Sequence, residues 1–379
     1  MRRVVVWSVL LIASWLAVGC KSGTAGRTGG GGGGGQTDHH DVLYVPSNSG
    51  GGEILAYLFD STTGTLGAVN GTFTGPPVDV DIKVDTAGKF LYASDQAANS
   101  IYGFSIDPAT GALTPVGGSP FSFPETSITG GPLAIAPAGK FVFSSNAVGS
   151  IASFAINPTS GGLSLSSGPM TNSGLSPFYL LVSPSGNFLY ASNHTDGGGQ
   201  EIYVFAINSS GGILTQAPGS PFTFESNSQP AGLAMNTAGT FLYAALSNAG
   251  QVAGLSVDPT TSTLVSLAGS PYLAKFIPTS IALGANGQFL YAGNECSGDI
   301  SIYNVDPTSG VLISNDTFTT NEPSVLATSS SGQHLFVVGR TSNQLSVYQI
   351  TSSGSLVSIS TTQLPSNSNV RQIAVYPLN

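Results

Sequence analysis

The sequence feature that most constrains the fold is a unit that the chain repeats seven times. Its clearest copy runs from Gly287 to Asp306, GQFLYAGNECSGDISIYNVD, with a glycine turn, an FLYA-type strand, a loop and an alternating strand. The FLYA-type strands begin about 50 residues apart, at Leu43, Leu91, Val142, Leu189, Leu242, Leu290 and Leu335. Several strands per copy at this period are typical of a β-propeller, in which each copy is one blade. The repeat predicts an all-β, seven-bladed propeller.

We call the strands of one copy A, B, C and D in chain order, so that the FLYA-type strand is B. Strand C alternates apolar and polar residues, which places one face against a neighbouring blade. Its copies are EILAYLFD from Glu53, SIYGFSID from Ser100, SIASFAIN from Ser150, EIYVFAIN from Glu201, QVAGLSVD from Gln251, DISIYNVD from Asp299 and QLSVYQIT from Gln344. The C–D connections, such as Asp306 to Gly310, combine Asp-Pro with Gly, which is the chemistry of a tight turn rather than of a site.

The two ends of the repeat region complement each other. The first copy starts at its strand B, Val42 to Val45, and has no strand A. The chain finishes with Arg371 to Tyr376, RQIAVY, which matches a strand A and has no copy of its own. We therefore expect the last strand to pair with the first, because this pairing removes the open edges of an incomplete ring.

Composition limits the classes of function. Only 8% of residues are charged and the net charge is −9, with 19 acidic and 10 basic residues. Nucleic-acid binding requires a basic surface, so we expect no nucleic-acid partner. Two cysteines, Cys20 and Cys296, provide neither a disulfide framework nor a metal-type spacing, and no cofactor or metal is expected.

The N-terminus predicts export from the cytoplasm. Arg2 and Arg3 precede an apolar stretch, Val4 to Val18, that suits a secretory signal and is short for a membrane span. Leu16 to Cys20, LAVGC, resembles the lipobox of bacterial lipoproteins, which implies cleavage before Cys20 and its lipidation. The alternative is an ordinary signal peptide that happens to contain a cysteine.

Three segments follow from this interpretation. We predict a signal peptide at residues 1–19, a glycine-rich tether at 20–40 and the propeller at 41–379. A run of consecutive glycines has nothing to bury and loses much entropy on ordering, which suits a tether. The predicted location is the cell envelope, with attachment to a membrane through the lipid on Cys20.

The strand ends and the Asp-Pro-x-Thr-Gly-x-Leu turns resemble the seven-bladed propeller lactonase family, which includes 6-phosphogluconolactonases and fungal carboxymuconate-cyclising enzymes. The resemblance covers residues 41–379. It implies Gly-Pro-Arg-His at the start of some A strands and Asn-Glu after some B strands. This chain keeps Asn294-Glu295, but Pro177, Pro230, Pro278 and Pro323 are followed by no Arg-His. Only the closing strand keeps Arg371, and Gln372 stands where the family has His.

One rim of the predicted ring carries the candidate site. The D–A and B–C connections share this rim and are long and varied, and such loops on a rigid scaffold usually bind ligands. Charged residues of blades 6, 7 and 1 cluster there: Glu295, Glu322, Arg340 and Arg371. We name Arg371, Glu295 and Arg340 as candidate catalytic residues, because guanidinium and carboxylate groups can bind an anionic sugar or acid and transfer protons. The alternative is a set of rim salt bridges, which stabilise a protein little.

Other side chains admit two interpretations. His194 with Asp196 forms a general base with its orienting carboxylate, or belongs to a solvated loop. Asp79 and Asp81 provide two oxygen ligands for Ca²⁺, but no ligand-rich loop accompanies them. Cys296 fits a semi-buried small residue, since no motif places a histidine beside it.

Two functions follow. The first is a lipid-anchored, extracytoplasmic binding protein with a degenerate active site, whose varied rim binds a small molecule, a glycan or a protein. The alternative is a lactonase-type hydrolase acting on a sugar or carboxylic lactone, which requires Arg371, Glu295 and Arg340 to converge on one pocket.

Overall fold

The computed structural model describes residues 40–69, 73–75, 81–95, 98–123, 130–146, 150–166, 171–172, 176–194, 199–284 and 286–378. The predicted signal peptide, Cys20 and all but the last residue of the predicted tether lie outside these residues, as do Asp79 and Asp196. Within the described part of the chain, no helix is long and apolar enough to cross a membrane.

The described strands form seven antiparallel sheets, each of four or five strands, so the seven-bladed fold is confirmed. Blade 1 contains β1 (His40–Ser47), β2 (Glu53–Asp60), β3 (Thr65–Ala68) and β4 (Phe73–Thr74). Blade 2 contains β5 (Ile82–Val84), β6 (Phe90–Asp95), β7 (Ser100–Ile106), β8 (Leu113–Pro115) and β9 (Phe121–Ser122). Blade 3 contains β10 (Gly130–Ile135), β11 (Phe141–Asn146), β12 (Ser150–Ile156), β13 (Leu163–Leu165) and β14 (Thr171–Asn172).

The second half of the ring repeats the same order. Blade 4 contains β15 (Pro177–Val182), β16 (Phe188–Asn193), β17 (Glu201–Ile207), β18 (Leu214–Gln216) and β19 (Phe222–Thr223). Blade 5 contains β20 (Pro230–Met235), β21 (Phe241–Leu246), β22 (Gln251–Val257), β23 (Leu264–Ser266) and β24 (Tyr272–Leu273). Blade 6 contains β25 (Pro278–Leu283), β26 (Phe289–Asn294), β27 (Asp299–Val305) and β28 (Leu312–Thr319). Blade 7 contains β29 (Pro323–Thr328), β30 (His334–Gly339), β31 (Gln344–Ile350) and β32 (Leu356–Gln363), and β33 (Ala374–Leu378) ends the chain.

The C-terminal strand closes the ring as expected. In blade 1 the strand order is β3-β2-β1-β33, so β33 takes the place of strand A. Tyr44 is opposite Ala374 and Val42 is opposite Tyr376 in the antiparallel register. The strand begins at Ala374, three residues after the expected Arg371. Arg371 and Gln372 therefore lie in the segment that leads into the inner strand.

Apolar clusters between neighbouring blades form the core. Val42 and Tyr44 of blade 1, for example, pack in one buried cluster with Leu91 and Phe104 of blade 2. Burial of this apolar surface is the main force that holds adjacent sheets together. The alternation predicted for strand C supplies part of these faces, and the largely buried strands B supply the rest.

Candidate functional site

A cavity of about 410 Å³ opens at one end of the central channel. Its wall includes a residue at or near the start of strand A in every blade, from blade 1 to blade 7: Gln372, Asp81, Pro132, Tyr179, Gly232, Thr279 and Ser324. This is the rim on which the D–A and B–C connections meet. A cavity of this size lies within the range of about 300–1,000 Å³ that small-molecule sites occupy.

The repeat presents side chains to this cavity from the position that follows strand B. In blades 4 to 7 this position is held by His194, Ser247, Glu295 and Arg340. In each of these blades strand A begins with a proline. The backbone N–H of the residue after strand B donates to the carbonyl oxygen of the residue just before that proline, at 2.9–3.1 Å. In the same blade order the acceptors are Ser176, Gln229, Ile277 and Glu322. Three of these positions, His194, Glu295 and Arg340, line the cavity. The fold therefore fixes the backbone of these three residues through one repeated hydrogen bond.

The acceptor residues have an unusual backbone conformation in three consecutive blades. Gln229, Ile277 and Glu322 have φ angles of 50°, 58° and 41°. Positive φ is rare for a β-branched residue such as Ile277, and strain of this kind persists where the surrounding structure requires it. Here the conformation directs the Ile277 carbonyl to the N–H of Glu295, at 2.9 Å.

Glu295 and Arg340 form an ion pair in the cavity wall, between Oε1 and Nη1. The Glu295 side chain is 9% exposed, whereas that of Arg340 is 42% exposed and reaches the solvent. A carboxylate this deeply buried requires a charged partner. One of the predicted rim salt bridges is therefore present. Both of its residues also line the cavity, so their charges face a ligand bound there.

Arg371 lines the same cavity from the segment before β33. The three candidate catalytic residues therefore surround one space, as the hydrolase hypothesis required. Glu322 does not join them among the described lining residues. Its carboxylate instead accepts hydrogen bonds from the N–H of Thr341, at 3.2 Å, and from the Thr341 hydroxyl.

His194 is half-buried at the end of strand B in blade 4 and adjoins the candidate site. It lines the cavity, and its ring lies 5.0 Å from the ring of Phe178, centroid to centroid. The signal was present in the sequence, because His194 follows strand B at the same position as Glu295 and Arg340. The imidazole adds a second proton acceptor beside the Glu295 carboxylate, which Arg340 already engages.

A second polar group borders the cavity on the side of blades 2 and 4. The carboxylate of Asp81 accepts hydrogen bonds from the N–H groups of Ile82 and Leu133, both at 2.7 Å, and lies 3.2 Å from the Lys83 ammonium. That ammonium lies 5.1 Å from the centre of the Tyr179 ring. Burial opposes the charge of Lys83, but Asp81 and Tyr179 together outweigh it and raise the pKa of the ammonium group. Sequence reasoning missed Lys83 and Tyr179 because both lie in apolar strand segments.

The calcium hypothesis gains no support. Among the described residues no group of three or more His, Cys, Asp or Glu side chains is arranged to hold a metal ion. The Asp81 carboxylate is already engaged by Lys83 and two backbone N–H groups. Cys296, next to Glu295, is half-buried and forms no disulfide bond among the described residues.

The sequence model described as "Lactonase, 7-bladed beta-propeller" matches residues 61–174, 170–276 and 270–372 of this chain. No curated protein sequence is significantly similar to the chain.

Solved structures with the same architecture cover nearly the whole chain. A periplasmic gluconolactonase of Pseudomonas aeruginosa is 19% identical, with a TM-score of 0.73 over 88% of this chain and 98% of that protein. A protein of Bacteroides uniformis, named as a candidate 6-phosphogluconolactonase, is 21% identical, with a TM-score of 0.71 over 90% of this chain and 100% of that protein. A Bacteroides fragilis protein named in the same way is 20% identical, with a TM-score of 0.72 over 90% and 99% of the two chains. At these identities the likeness shows a shared fold.

Proposed function

Because this chain belongs to the seven-bladed β-propeller lactonase family, we propose that it binds and hydrolyses a lactone of a sugar or carboxylic acid at the mouth of its channel. One observation carries the proposal. Arg371, Glu295, Arg340 and His194 line a single cavity of about 410 Å³. They provide positive charge for a carbonyl oxygen and a proton acceptor for water, which are the two requirements of ester hydrolysis.

The reaction assigns a role to each group. His194 accepts a proton from water as the water oxygen bonds to the lactone carbonyl carbon. The Arg371 guanidinium stabilises the negative charge that develops on the carbonyl oxygen. The ring C–O bond then breaks, and the leaving oxygen takes the proton from His194, giving the open hydroxy acid. Glu295 holds Arg340 at the cavity wall, where its guanidinium binds the carboxylate of the product.

The proposed location excludes a cytoplasmic substrate. We propose that the mature protein is anchored in the cell envelope through a lipid on Cys20, outside the described residues. A phosphorylated sugar lactone is a cytoplasmic metabolite, so an unphosphorylated lactone is the better candidate. The similar Pseudomonas aeruginosa protein is itself named as periplasmic, which supports this location. Replacement of Cys20 by Ser tests the anchor, since it should release the protein from the membrane fraction.

Binding without hydrolysis is the second candidate, and one observation favours it. The Arg-His pair that the family resemblance implies is absent from the A strands of blades 4 to 7, and Gln372 stands where the family has His. In this case the same cavity and the varied loops around it hold a small molecule, a glycan or a protein ligand without turnover.

A panel of lactones separates the two candidates. We expect wild-type protein to hydrolyse D-glucono-1,5-lactone or another panel member above the spontaneous rate, and Arg371→Ala to lose about 100-fold or more in kcat/KM. Lys140→Ala, which removes an exposed charge outside the cavity, is the matched control and should behave as wild type. Calorimetric titration with D-gluconate measures binding separately. Binding without turnover would establish the second candidate, and absence of both would refute the proposal.

A further inference from the structure

Tyr179 projects across the channel mouth and meets residues of blades that are not its neighbours. It lies in the inner strand β15 of blade 4 and lines the cavity. Gln372 of blade 1 places its Nε2 atom 3.4 Å from the Tyr179 hydroxyl oxygen. Lys83 of blade 2 places its ammonium 5.1 Å from the ring centre. In a seven-membered ring neither blade 1 nor blade 2 adjoins blade 4, so both contacts cross the channel.

The direction of the hydrogen bond between Gln372 and Tyr179 determines which further hydrogen bond the Tyr179 phenol can make. An amide nitrogen is a donor only, so the Tyr179 oxygen accepts in this hydrogen bond. The phenolic hydrogen remains, and no described residue accepts it. Several interior tyrosines differ in this respect, because Tyr44, Tyr92 and Tyr243 each donate to a carbonyl oxygen in the next blade at 2.7–2.8 Å.

The surroundings of the ring hold it in place. An ammonium group near an aromatic face is attracted to the ring. Lys83 is held in this place by the Asp81 carboxylate, at 3.2 Å, and its side chain is 20% exposed. Asp81 in turn is fixed by the backbone N–H of Leu133 in blade 3. Four blades therefore cooperate to hold one hydroxyl group at the cavity.

We propose that Tyr179 is a specificity-determining residue that donates its phenolic hydrogen to a hydroxyl oxygen of the bound molecule, with Lys83 and Gln372 as its positioning residues. The inference rests on the proposed function, because it takes the occupant of the cavity to be a lactone or its hydroxy acid. A ligand without a hydroxyl group would leave the phenol desolvated and unpaired, and a site built in this way discriminates strongly against such a ligand.

The test compares two lactones of the same ring size. D-Glucono-1,5-lactone carries ring hydroxyls and δ-valerolactone carries none. We expect Tyr179→Phe to reduce the ratio of their kcat/KM values about 10-fold, through a lower value for D-glucono-1,5-lactone and a higher value for δ-valerolactone, which no longer leaves a phenol unpaired. The Phe variant keeps the ring against Lys83, so its fold is preserved. Tyr243→Phe is the matched control, because its hydroxyl donates to the Gly310 carbonyl between blades, and it should leave the ratio unchanged.

A binding measurement separates this inference from the proposed hydrolysis. Calorimetric titrations with D-gluconate and 5-hydroxyvalerate should show the same loss of preference in Tyr179→Phe. If wild-type protein binds gluconate without hydrolysing any lactone and Tyr179→Phe binds it about 10-fold more weakly, the hydrolysis proposal fails and the role of Tyr179 stands. An unchanged ratio in both experiments, or no binding by wild type, overturns the inference.

Discussion

The hydroxyl of Tyr44 in blade 1 donates a hydrogen bond to the carbonyl oxygen of Gly111 in blade 2, at 2.8 Å. Tyr44 is fully buried, and this burial raises the pKa of its phenol, so the group remains a donor at physiological pH. Gly111 has φ of 71° in the C–D turn, a conformation that glycine adopts without strain. The same link recurs between later blades, from Tyr92 to Gly161 and from Tyr291 to Gly354. Each link ties strand B of one blade to the outer turn of the next.

Tyr44→Phe should destabilise the ring, because it leaves the buried Gly111 carbonyl without its donor. We expect a loss of about 1–3 kcal/mol in the free energy of unfolding, measured by urea denaturation. Tyr102→Phe, at a partly exposed tyrosine of the adjacent blade, is the control and should change stability by less than about 0.5 kcal/mol. Equal effects of the two substitutions would contradict the role of the link.

Deletion of residues 374–379 tests the closure of the ring. It removes β33, exposes the edge of β1 and uncovers part of two apolar clusters. An exposed strand edge pairs with other chains, so we expect lower solubility, association in light scattering and a clear fall in melting temperature. Deletion of residues 1–36, which includes the predicted signal and most of the glycine-rich segment, is the control. A truncated protein as stable and monomeric as this control would argue against the closure.

His334 should make the stability depend on pH. It is buried at the junction of blades 7 and 1, its ring lies 4.9 Å from that of Phe59, and its Nδ1 has no partner among the described residues. Burial lowers the pKa of this imidazole, with a smaller opposite effect from Asp41. The unfolded chain then binds the proton more readily, so stability is retained above the unfolded pKa of about 6.5 and falls as the pH decreases below it.

His334→Phe should flatten this dependence between pH 5 and 7.5, measured as the free energy of unfolding at each pH. Phenylalanine is the natural choice, because Phe90, Phe141, Phe188, Phe241 and Phe289 occupy the same position in blades 2 to 6. The His39→Ala variant provides a control for loss of a histidine elsewhere. If the slope of wild type and His334→Phe is the same, the decrease has another source.

Arg340→Ala should affect both stability and function. It removes the partner of the Glu295 carboxylate, whose side chain is 9% exposed, and an unpaired buried charge is costly. We expect a lower melting temperature and at least a 10-fold fall in affinity for D-gluconate, an estimate of about 1.4 kcal/mol. The double variant Glu295→Gln with Arg340→Ala should recover stability, since it removes the unpaired charge, without recovering affinity. Recovery of affinity would show that Arg340 only neutralises Glu295.

The architecture was predictable from the sequence because it depends on periodic patterns. Alternation in strand C, the turn glycines and the unmatched strands at the two ends determine the blades and their closure. Glu295 and Arg340 were identifiable because they are charged residues at one repeated position on a varied rim. Their ion pair also followed from their placement in neighbouring blades.

The rest of the site depends on distances that no repeat pattern contains. Tyr179 lies in the strand PFYLLV and Lys83 lies in the strand IKV, so each resembles a core position. Their contact across the channel depends on the radius of the ring and on the length of the side chains. The charge of Glu322 predicts a position in the site. Its backbone has positive φ, however, and its carboxylate accepts hydrogen bonds from Thr341 instead of lining the cavity.

The central claim is that the mouth of the channel is the ligand site, and a crystal structure of the protein with D-gluconate tests it most directly. We predict electron density for gluconate in the cavity lined by Arg371, Arg340, His194 and Tyr179, with its carboxylate on a guanidinium and a hydroxyl on the Tyr179 oxygen, and no such density in crystals of Arg371→Ala. Gluconate bound at another surface, or bound in the cavity equally well in Arg371→Ala, would contradict the account.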